Sequence, residues 1–235
     1  MTDATEEPRP VRRLISFRWI YLAPVLAFIA LSAWAFASPI GAGPDDDYHL
    51  VSTWCANGGS EYCASGSETA THELPTAFRE LTCYVQVEER SAACQESVWP
   101  DVTPDVYETK RGNFAGEYPP LYYSAMRVFA GEDIQSSAIV MRLLNAAIFV
   151  ALATALFVLL PIARRKTLLW GWLLTLVPLG MFLIPSNNPS GWAVTGVGTA
   201  FLALLGWFET RDRTRWALGV LSLVGVLMAA GARGD

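Results

Sequence analysis

Charged side chains are scarce in this chain: Asp, Glu, Lys and Arg make up 17% of its 235 residues, against about 25% in soluble domains. Lysine and histidine are rarer still, with two of each. This composition excludes a disordered chain, a collagen and a charge-rich coiled coil. The sequence also lacks a phosphate-cradling glycine motif, a His-Glu-x-x-His zinc motif and a nucleophile elbow, so it indicates none of those sites.

The sequence instead contains several long runs without a charged residue. A bilayer core of about 30 Å needs about 20 apolar residues of helix. The runs predict five transmembrane helices, at residues 19–38, 139–163, 167–185, 190–208 and 216–232. The polar stretch 185–191 separates the third from the fourth and is expected as a turn at the membrane interface. The fold class is therefore predicted to be an all-α polytopic membrane protein.

Basic residues indicate the orientation of these helices. They cluster before the first run, between the second and third, and between the fourth and fifth: Arg9, Arg12, Arg13 and Arg18; Arg164, Arg165 and Lys166; Arg211, Arg213 and Arg215. With five spans all three clusters lie on one side, which the positive-inside rule assigns to the cytoplasm. Residues 1–18 are then a cytoplasmic N-terminus, and residues 39–138 face outward from the plasma membrane. A cleaved signal peptide is the alternative for the first run, since Ala35-Phe36-Ala37 resembles a cleavage site.

The outward loop 39–138 differs from the other residues in its charge. It has 16 acidic and five basic residues, a net charge of −11, which argues against nucleic-acid binding. All four cysteines lie in it, and outside the cytoplasm two disulfides are expected. Pairing of Cys55 with Cys63 and of Cys83 with Cys94 is the first choice because both loops are short, and the other two pairings remain open.

Local patterns predict some structure inside this loop. Residues 45–54 are expected to form a helix with Asp45 near its N-cap. Residues 74–90 look partly helical, and 100–117 look like an irregular loop. Residues 121–130 follow two prolines and predict a short amphipathic helix on the membrane surface.

The strongest candidate for chemistry is the run Asp45, Asp46 and Asp47 with His49 close behind it. Repulsion among adjacent carboxylates favours a general base among them, and His49 shares a helix face with Asp45. Asp45 and Asp47 could instead hold a divalent metal through oxygen, although no cofactor is certain. A solvated helix start explains the same residues without any function.

Three further groups could complete a site at this end of the helices. Glu117 and the aromatic residues Tyr118, Tyr122 and Tyr123 surround a rigid Pro-Pro pair and could hold a sugar or anchor the chain at the interface. Arg142 and Asn145 lie near the outer end of the second run, where an arginine could pair with a phosphate, pair with one of the acids, or snorkel. The turn residues 187–190 and Arg233 are expected on the same side.

Together these features resemble an uncharacterised family of polytopic membrane proteins common in actinobacteria. The specific parts are the Pro44-Asp45-Asp46 run with His49 and the Tyr118-Pro119-Pro120-Leu121-Tyr122-Tyr123 motif. The shared layout also includes a second span that starts with Arg142-Leu143-Leu144-Asn145, while the hydrophobic spans are generic. That family is similar in architecture to GT-C glycosyltransferases. The chain would correspond to their N-terminal part, because such enzymes have about twice as many spans.

The resemblance implies a function and roles for particular residues. Asp45, or otherwise Asp46, would activate the acceptor hydroxyl, and His49 would orient or assist. The three tyrosines would line a groove, and Arg142 would meet the phosphate of a polyprenyl-phosphate sugar donor. The expected partners are the lipid bilayer, this donor and an envelope glycan acceptor, with a partner subunit also possible.

Two other functions compete with the glycosyltransferase hypothesis. The chain could be a non-enzymatic membrane protein whose disulfide-stapled loop binds a partner or an envelope polymer. A transporter is less well supported, because the last three runs contain no acid, histidine or lysine for a coupling-ion site.

Overall fold

The structure, a computed structural model, describes residues 18–59, 61–97 and 105–233. The predicted cytoplasmic N-terminus, with Arg9, Arg12 and Arg13, lies outside the described residues. Within them the chain forms nine α-helices: α1 (Arg18–Ala37), α2 (Asp46–Trp54), α3 (Ala77–Glu80), α4 (Leu121–Met126), α5 (Ile134–Leu159), α6 (Ile162–Thr175), α7 (Met181–Leu183), α8 (Ser190–Glu209) and α9 (Thr214–Ala232). A lobe of residues 39–133 separates α1 from α5.

Three helices are long and apolar enough to cross a membrane by length and composition: α5, α8 and α9. In α1 the apolar part, Leu22–Ala37, is shorter. Large apolar side chains are exposed along these helices, for example Ile29 in α1 and Phe201 in α8. Such exposure is expected for helix faces that contact lipid, because large exposed apolar patches are typical of membrane-contacting surfaces.

The predicted third span, 167–185, is not one continuous α-helix. After α6 the backbone widens into a π-helical turn, Leu176–Gly180, before the short α7. Pro178 lies in that turn and has no N–H to donate, so the regular hydrogen-bond ladder is interrupted there. The helix also begins earlier than predicted, so that Arg164, Arg165 and Lys166 lie within its first turns rather than in a loop.

Alternating chain direction places both basic connections at the end of the bundle opposite the lobe. The break at Leu160 and Pro161 joins α5 to α6, and a short turn joins α8 to α9. Arg164 at the first connection forms an ion pair with Glu209 at the second. The predicted co-location of these two basic clusters is therefore a feature of the fold.

Small residues bring α8 and α9 into backbone contact. A Cβ built on Gly225 would lie 2.6 Å from the amide nitrogen of Ala200 and 2.6 Å from the carbonyl oxygen of Gly196. Ser222 donates to the carbonyl of Ala200 at 3.1 Å across the same contact. Glycine at these positions lets the helices approach as small-residue motifs do in membrane helix pairs.

The lobe contains a small sheet, which the all-α prediction missed. Strands β1 (Ala64–Ser65), β2 (His72–Pro75) and β3 (Val106–Thr109) pair antiparallel in that order. The prediction of loop for 100–117 is therefore wrong at β3. The four residues Val-Tyr-Glu-Thr are too short to give a strand signal among prolines and glycines.

Two disulfides staple the lobe, and they are the pairs that the short loops favour. Cys55 bonds to Cys63, and Cys83 bonds to Cys94. Between them lies a core built around Trp54, which meets Phe78 edge-on with ring centroids 5.1 Å apart. The Trp54 indole donates to the carbonyl of Gly131 at 3.1 Å, which ties α2 to the entry of α5.

Helix α4 forms within the stretch 121–130 predicted to be helical, and its aromatic face is turned into the protein. Tyr122, Tyr123 and Met126 are buried, whereas Leu121 and Val128 are exposed. The expected membrane-surface position of 121–130 does not describe these tyrosines. The hydroxyls of Tyr122 and Tyr123 have hydrogen-bond partners inside the protein. A tyrosine whose hydroxyl is paired in this way can be buried without losing a hydrogen bond.

The α8–α9 contact generates a stability prediction. We expect Gly225→Val to lower the apparent melting temperature in detergent by roughly 5 °C or more, because the new side chain meets backbone that cannot move aside. Gly171→Val in α6 is the control, since a Cβ there has no neighbour within 4 Å. An equal shift in both variants, measured by thermal unfolding, would contradict the prediction.

Candidate functional site

The candidate site begins where α1 ends and α2 starts, at the run of three acids. Asp45 takes the left-handed backbone conformation (φ 54°, ψ 25°) immediately before α2, and the other two acids occupy the first helical turn. Aspartate is one of the few residues that adopts this conformation at modest cost. As a result the three carboxylates point in different directions: the side chains of Asp45, Asp46 and Asp47 are 61%, 0% and 25% exposed.

The buried acid, Asp46, pairs with Arg142 of α5. The Arg142 Nη2 donates to Asp46 Oδ2 at 2.9 Å and to the carbonyl of Pro39 at 3.0 Å. Its Nη1 donates to the carbonyls of Ala35 and Ser38 at 3.1 and 2.7 Å. Arg142 thus donates to one carbonyl in the last turn of α1 and to the carbonyls of the two residues that follow the helix.

This arrangement selects among the partners predicted for Arg142. Arg142 and Asp46 are both almost fully buried, so the guanidinium contacts neither solvent nor lipid. The pairing with an acid of the run is the one the structure has, through Asp46. Asp46 is likewise out of reach of a substrate in this conformation, which leaves Asp45 as the most exposed acid of the run.

Arg111, in the segment after β3, holds the other two acids. Its Nη2 donates to Asp45 Oδ1 at 3.0 Å and to Asp47 Oδ1 at 2.9 Å, and its Nε donates to Asp47 Oδ2. Burial alone raises the pKa of Asp47, but the hydrogen bonds and charge of Arg111 outweigh it, so the net pKa lies below its ordinary value. Asp47 therefore stays ionised, and Asp45 is attached by one exposed hydrogen bond.

The same contacts bear on the predicted metal site. Asp45 and Asp47 share a guanidinium in the position where a shared cation would lie. Among the described residues, the group of three potential ligands that lies close together is Cys55, Cys63 and His72, and its two sulfurs form a disulfide. The residues present around Asp45 therefore fit an arginine better than a divalent metal.

His49 lies beside these acids in an aromatic enclosure. Its Nδ1 is 2.8 Å from the Tyr123 hydroxyl, and the rings of Tyr48 and Tyr118 each meet it edge-on at 5.3 Å. The Tyr48 hydroxyl in turn donates to Glu117 at 2.8 Å. His49 Nε2 is buried without a hydrogen-bond partner among the described residues.

Burial lowers the pKa of His49 to about 4, although the negative charge of Asp45 opposes that shift. The imidazole is therefore neutral at pH 7. A neutral His49 can accept or pass on a proton, but it does not attract an anion by charge.

A polar layer beneath the site joins α5 to the turn between α7 and α8. Asn145 donates to the carbonyl of Ser186 at 2.7 Å and accepts from the Trp192 indole at 2.9 Å. Tyr122 lies 3.4 Å from the Asn145 amide. Asn145, predicted to bind substrate, is buried and joins protein groups of α5, α4 and the α7–α8 turn below the surface.

The turn between α7 and α8 is buried inside the protein at residues 184–189. Asn188 donates to the carbonyl of Pro44 at 2.7 Å, directly before the acid run. Asn187 is 1% exposed, and neither its amide nitrogen nor its oxygen has a partner among the described residues. The lobe covers this turn, and the Asn188 side chain of the turn hydrogen-bonds to the segment that leads into α2.

The structure thus brings most of the predicted residues together but divides them into two layers. The accessible surface carries Asp45, Asp47, Tyr48, Glu117, Tyr118 and Arg111, with His49 and Tyr123 just behind it. Asp46, Tyr122, Arg142 and Asn145 form the buried layer. Arg233, at the end of α9, lies 5.5 Å from the Tyr118 ring, which confirms that the chain returns to this end.

Sequence reasoning missed Arg111, which the structure places at the centre of the accessible surface. It lies 64 residues from Asp47, and no local spacing connects the two. The sequence signal that could have found Arg111 was the scarcity of basic residues, because the loop 39–138 has only five of them and 16 acidic residues.

Comparison with known proteins gives one finding. The model of a family described as "Predicted membrane protein (DUF2142)" matches residues 28–235. No curated protein and no solved structure matches the chain. The match includes α2, the lobe and the helices from α5 to α9, so it spans the whole candidate site.

The buried pair generates a prediction with an exposed pair as its control. We expect Arg142→Met to lower the free energy of unfolding by about 3–5 kcal/mol, because Asp46 and the α1 carbonyls lose their partner without gaining water. Arg111→Met should cost less than about 1 kcal/mol, since its pair is exposed. Unfolding in mixed micelles titrated with sodium dodecyl sulfate measures both, and equal losses would contradict the assignment.

His49 generates a pH prediction. The folded pKa of about 4 lies below the ordinary value of 6.5, so the unfolded chain binds the proton first. The stability contributed by neutral His49, roughly 3 kcal/mol, is present above pH 6.5 and is lost as the pH falls toward 4. His49→Gln should make the melting temperature depend less on pH between 4 and 6.5, whereas His72→Gln should leave that dependence unchanged. A His49→Gln profile parallel to that of the unmodified protein would refute the prediction.

Proposed function

The chain belongs to the DUF2142 family of predicted membrane proteins, and from this premise we propose that it is a membrane-embedded glycosyltransferase of the GT-C type. It would transfer a sugar from a polyprenyl-phosphate donor to a cell-envelope acceptor. The observation that carries the proposal is Asp45, an exposed carboxylate held in a left-handed backbone conformation at the outer end of α1. Unusual backbone conformations of this kind concentrate at functional sites.

The proposed topology builds on the three long apolar helices of the fold. We place five membrane-crossing segments in a plasma membrane, with α1 and the α6–α7 segment added to α5, α8 and α9. The two basic connections would face the cytoplasm and the lobe would face outward. The two disulfides of the lobe fit an oxidising exterior.

In the proposed reaction Asp45 is the general base. It would take the proton of the acceptor hydroxyl as that oxygen attacks the anomeric carbon of the donor sugar. The new carbon–oxygen bond forms while the bond from the anomeric carbon to the phosphate oxygen breaks, and the polyprenyl phosphate leaves with the electron pair. The half-buried rings of Tyr48 and Tyr118 would line the face against which the sugar lies.

Arg111 would supply the positive charge that the resemblance assigned to Arg142. Its planar guanidinium suits a phosphate as well as a carboxylate. Because Asp45 is attached to it by one hydrogen bond and Asp47 by two, an arriving phosphate would release Asp45 first. Donor binding would thus free the base, and Arg111 would take the role of the divalent metal that Asp45 and Asp47 suggested.

A non-enzymatic role has one observation in its favour. In the loop closed by Cys83 and Cys94, Val85 and Val87 are 41% and 38% exposed. Gln86 between them has a positive φ of 61°, which makes a projecting tip. On this alternative the tip binds a partner, and Val85→Ser with Val87→Ser would abolish binding while Asp45→Asn would not.

The test of the enzyme proposal is Asp45→Asn. Asparagine also adopts the left-handed conformation, so the variant should fold and insert normally. We expect transfer to fall by at least about 100-fold, the usual contribution of a general base. The assay supplies polyprenyl-phosphate hexose and pentose to the reconstituted full chain with envelope glycan and follows the product by mass spectrometry. Glu89→Gln, an exposed acid in the Cys83–Cys94 loop, is the control. Full transfer by Asp45→Asn would rule out Asp45 as the base.

A further inference from the structure

A second candidate site lies at the opposite end of the bundle from the lobe. A cavity of about 720 Å³ opens between the α5–α6 break and the α8–α9 turn. Its lining includes Arg165, Thr210 and Arg211 together with apolar residues of both connections. None of these residues takes part in the proposed transfer reaction.

Arg165 lines this cavity, and its side chain is held in place by hydrogen bonds. Its Nε donates to the carbonyl of Leu160 and its Nη2 to that of Val158, each at 3.2 Å. Its guanidinium also lies 5.1 Å from the Phe157 ring centroid. These contacts hold the positive charge beside the cavity and leave the remaining Nη1 hydrogens for a ligand.

The acids at the cavity already have partners, whereas one of its cations does not. Glu209 pairs with Arg164, and Asp212 accepts from the backbone N–H of Thr214 at 2.8 Å. Arg211 is exposed and forms no hydrogen bond, ion pair or ring contact with the part of the chain that the structure describes. The Thr210 hydroxyl is buried without a partner in the same part. The cavity therefore presents unsatisfied donors and positive charge.

Two helices begin at this cavity and add to its positive potential. Helix α6 starts at Ile162 and α9 starts at Thr214, and both residues line it. The unpaired N–H groups and the dipole at a helix N-terminus attract anions. Six basic and two acidic side chains lie in 160–167 and 209–215, so the local balance is strongly positive.

The rim of the cavity is apolar. Val158 and Ile162 line it and are 63% and 80% exposed, and Phe208 and Trp216 are exposed close by in sequence. A small inorganic anion would make no use of such a rim. An amphiphile with an anionic head and acyl chains would contact both parts.

We propose that this cavity binds the phosphate headgroup of an anionic phospholipid, with Arg165 and Arg211 facing the phosphate and Val158 and Ile162 facing the acyl chains. Basic cavities between membrane helices are suited to such headgroups. Bound lipid would join the α5–α6 and α8–α9 connections at the membrane surface, next to the Arg164–Glu209 pair.

The neighbouring arginines Arg211 and Arg213 provide the test. Both are exposed and belong to the same turn, but Arg211 lines the cavity and Arg213 does not. The full chain in a neutral detergent is titrated with phosphatidylglycerol, phosphatidylcholine or inorganic phosphate, and bound ligand is counted by native mass spectrometry. We expect phosphatidylglycerol to bind, and Arg211→Gln to weaken it roughly fivefold, the effect of one basic side chain near an anionic lipid. Arg213→Gln should leave binding unchanged.

Three results would overturn the proposal. Equal weakening in both variants would mean general attraction by surface charge. Equal retention of phosphatidylcholine would mean that the headgroup charge has no part in binding. Binding of inorganic phosphate as tight as that of phosphatidylglycerol would mean a small-anion site that does not need the apolar rim. Unchanged melting temperatures of the two variants would confirm that they remain folded.

Discussion

The buried guanidinium of Arg142 is the interaction on which the rest of the structure depends. It gathers three carbonyls from the end of α1 and the carboxylate of Asp46, all within 3.1 Å. Removing either member of such a buried ion pair leaves the other charge without compensation. The pair therefore sets where α1 stops, how α2 leaves it and how both meet α5.

The accessible site follows from that junction. With Asp46 committed to Arg142, the left-handed conformation of Asp45 turns the preceding carboxylate outward, and the first turn of α2 places Asp47 beside it. His49, one turn further, falls among tyrosines from the segment around α4. Three chemically identical acids thus differ in their roles: Asp46 is buried in an ion pair with Arg142, Asp47 pairs with Arg111, and Asp45 is the exposed candidate base.

The two ends of the bundle differ in their chemistry. At the lobe end the accessible groups are carboxylates held by Arg111, and the layer beneath them is joined by amide and hydroxyl groups such as those of Asn145 and Ser186. At the other end the acids are already paired and Arg211 is not. Both proposed ligands, the anionic phospholipid of the cavity and the lipid-linked sugar of the lobe site, would come from the bilayer. The cavity would bind its ligand through unpaired arginine, whereas the lobe site presents carboxylates.

The sequence by itself determined the features that depend on near neighbours. Uncharged runs located α1, α5, α8 and α9, the short cysteine spacings indicated the disulfide pairs, and the acid run marked the start of α2. Hydrophobicity, loop length and the preference of acids for a helix start all act over a few residues. Tertiary structure decided which acid is exposed, why the 184–189 turn is buried and where Arg111 and Arg142 find their partners. Those contacts join residues 64 and 96 positions apart, so they arise from how the helices and the lobe pack and leave no periodic pattern along the chain.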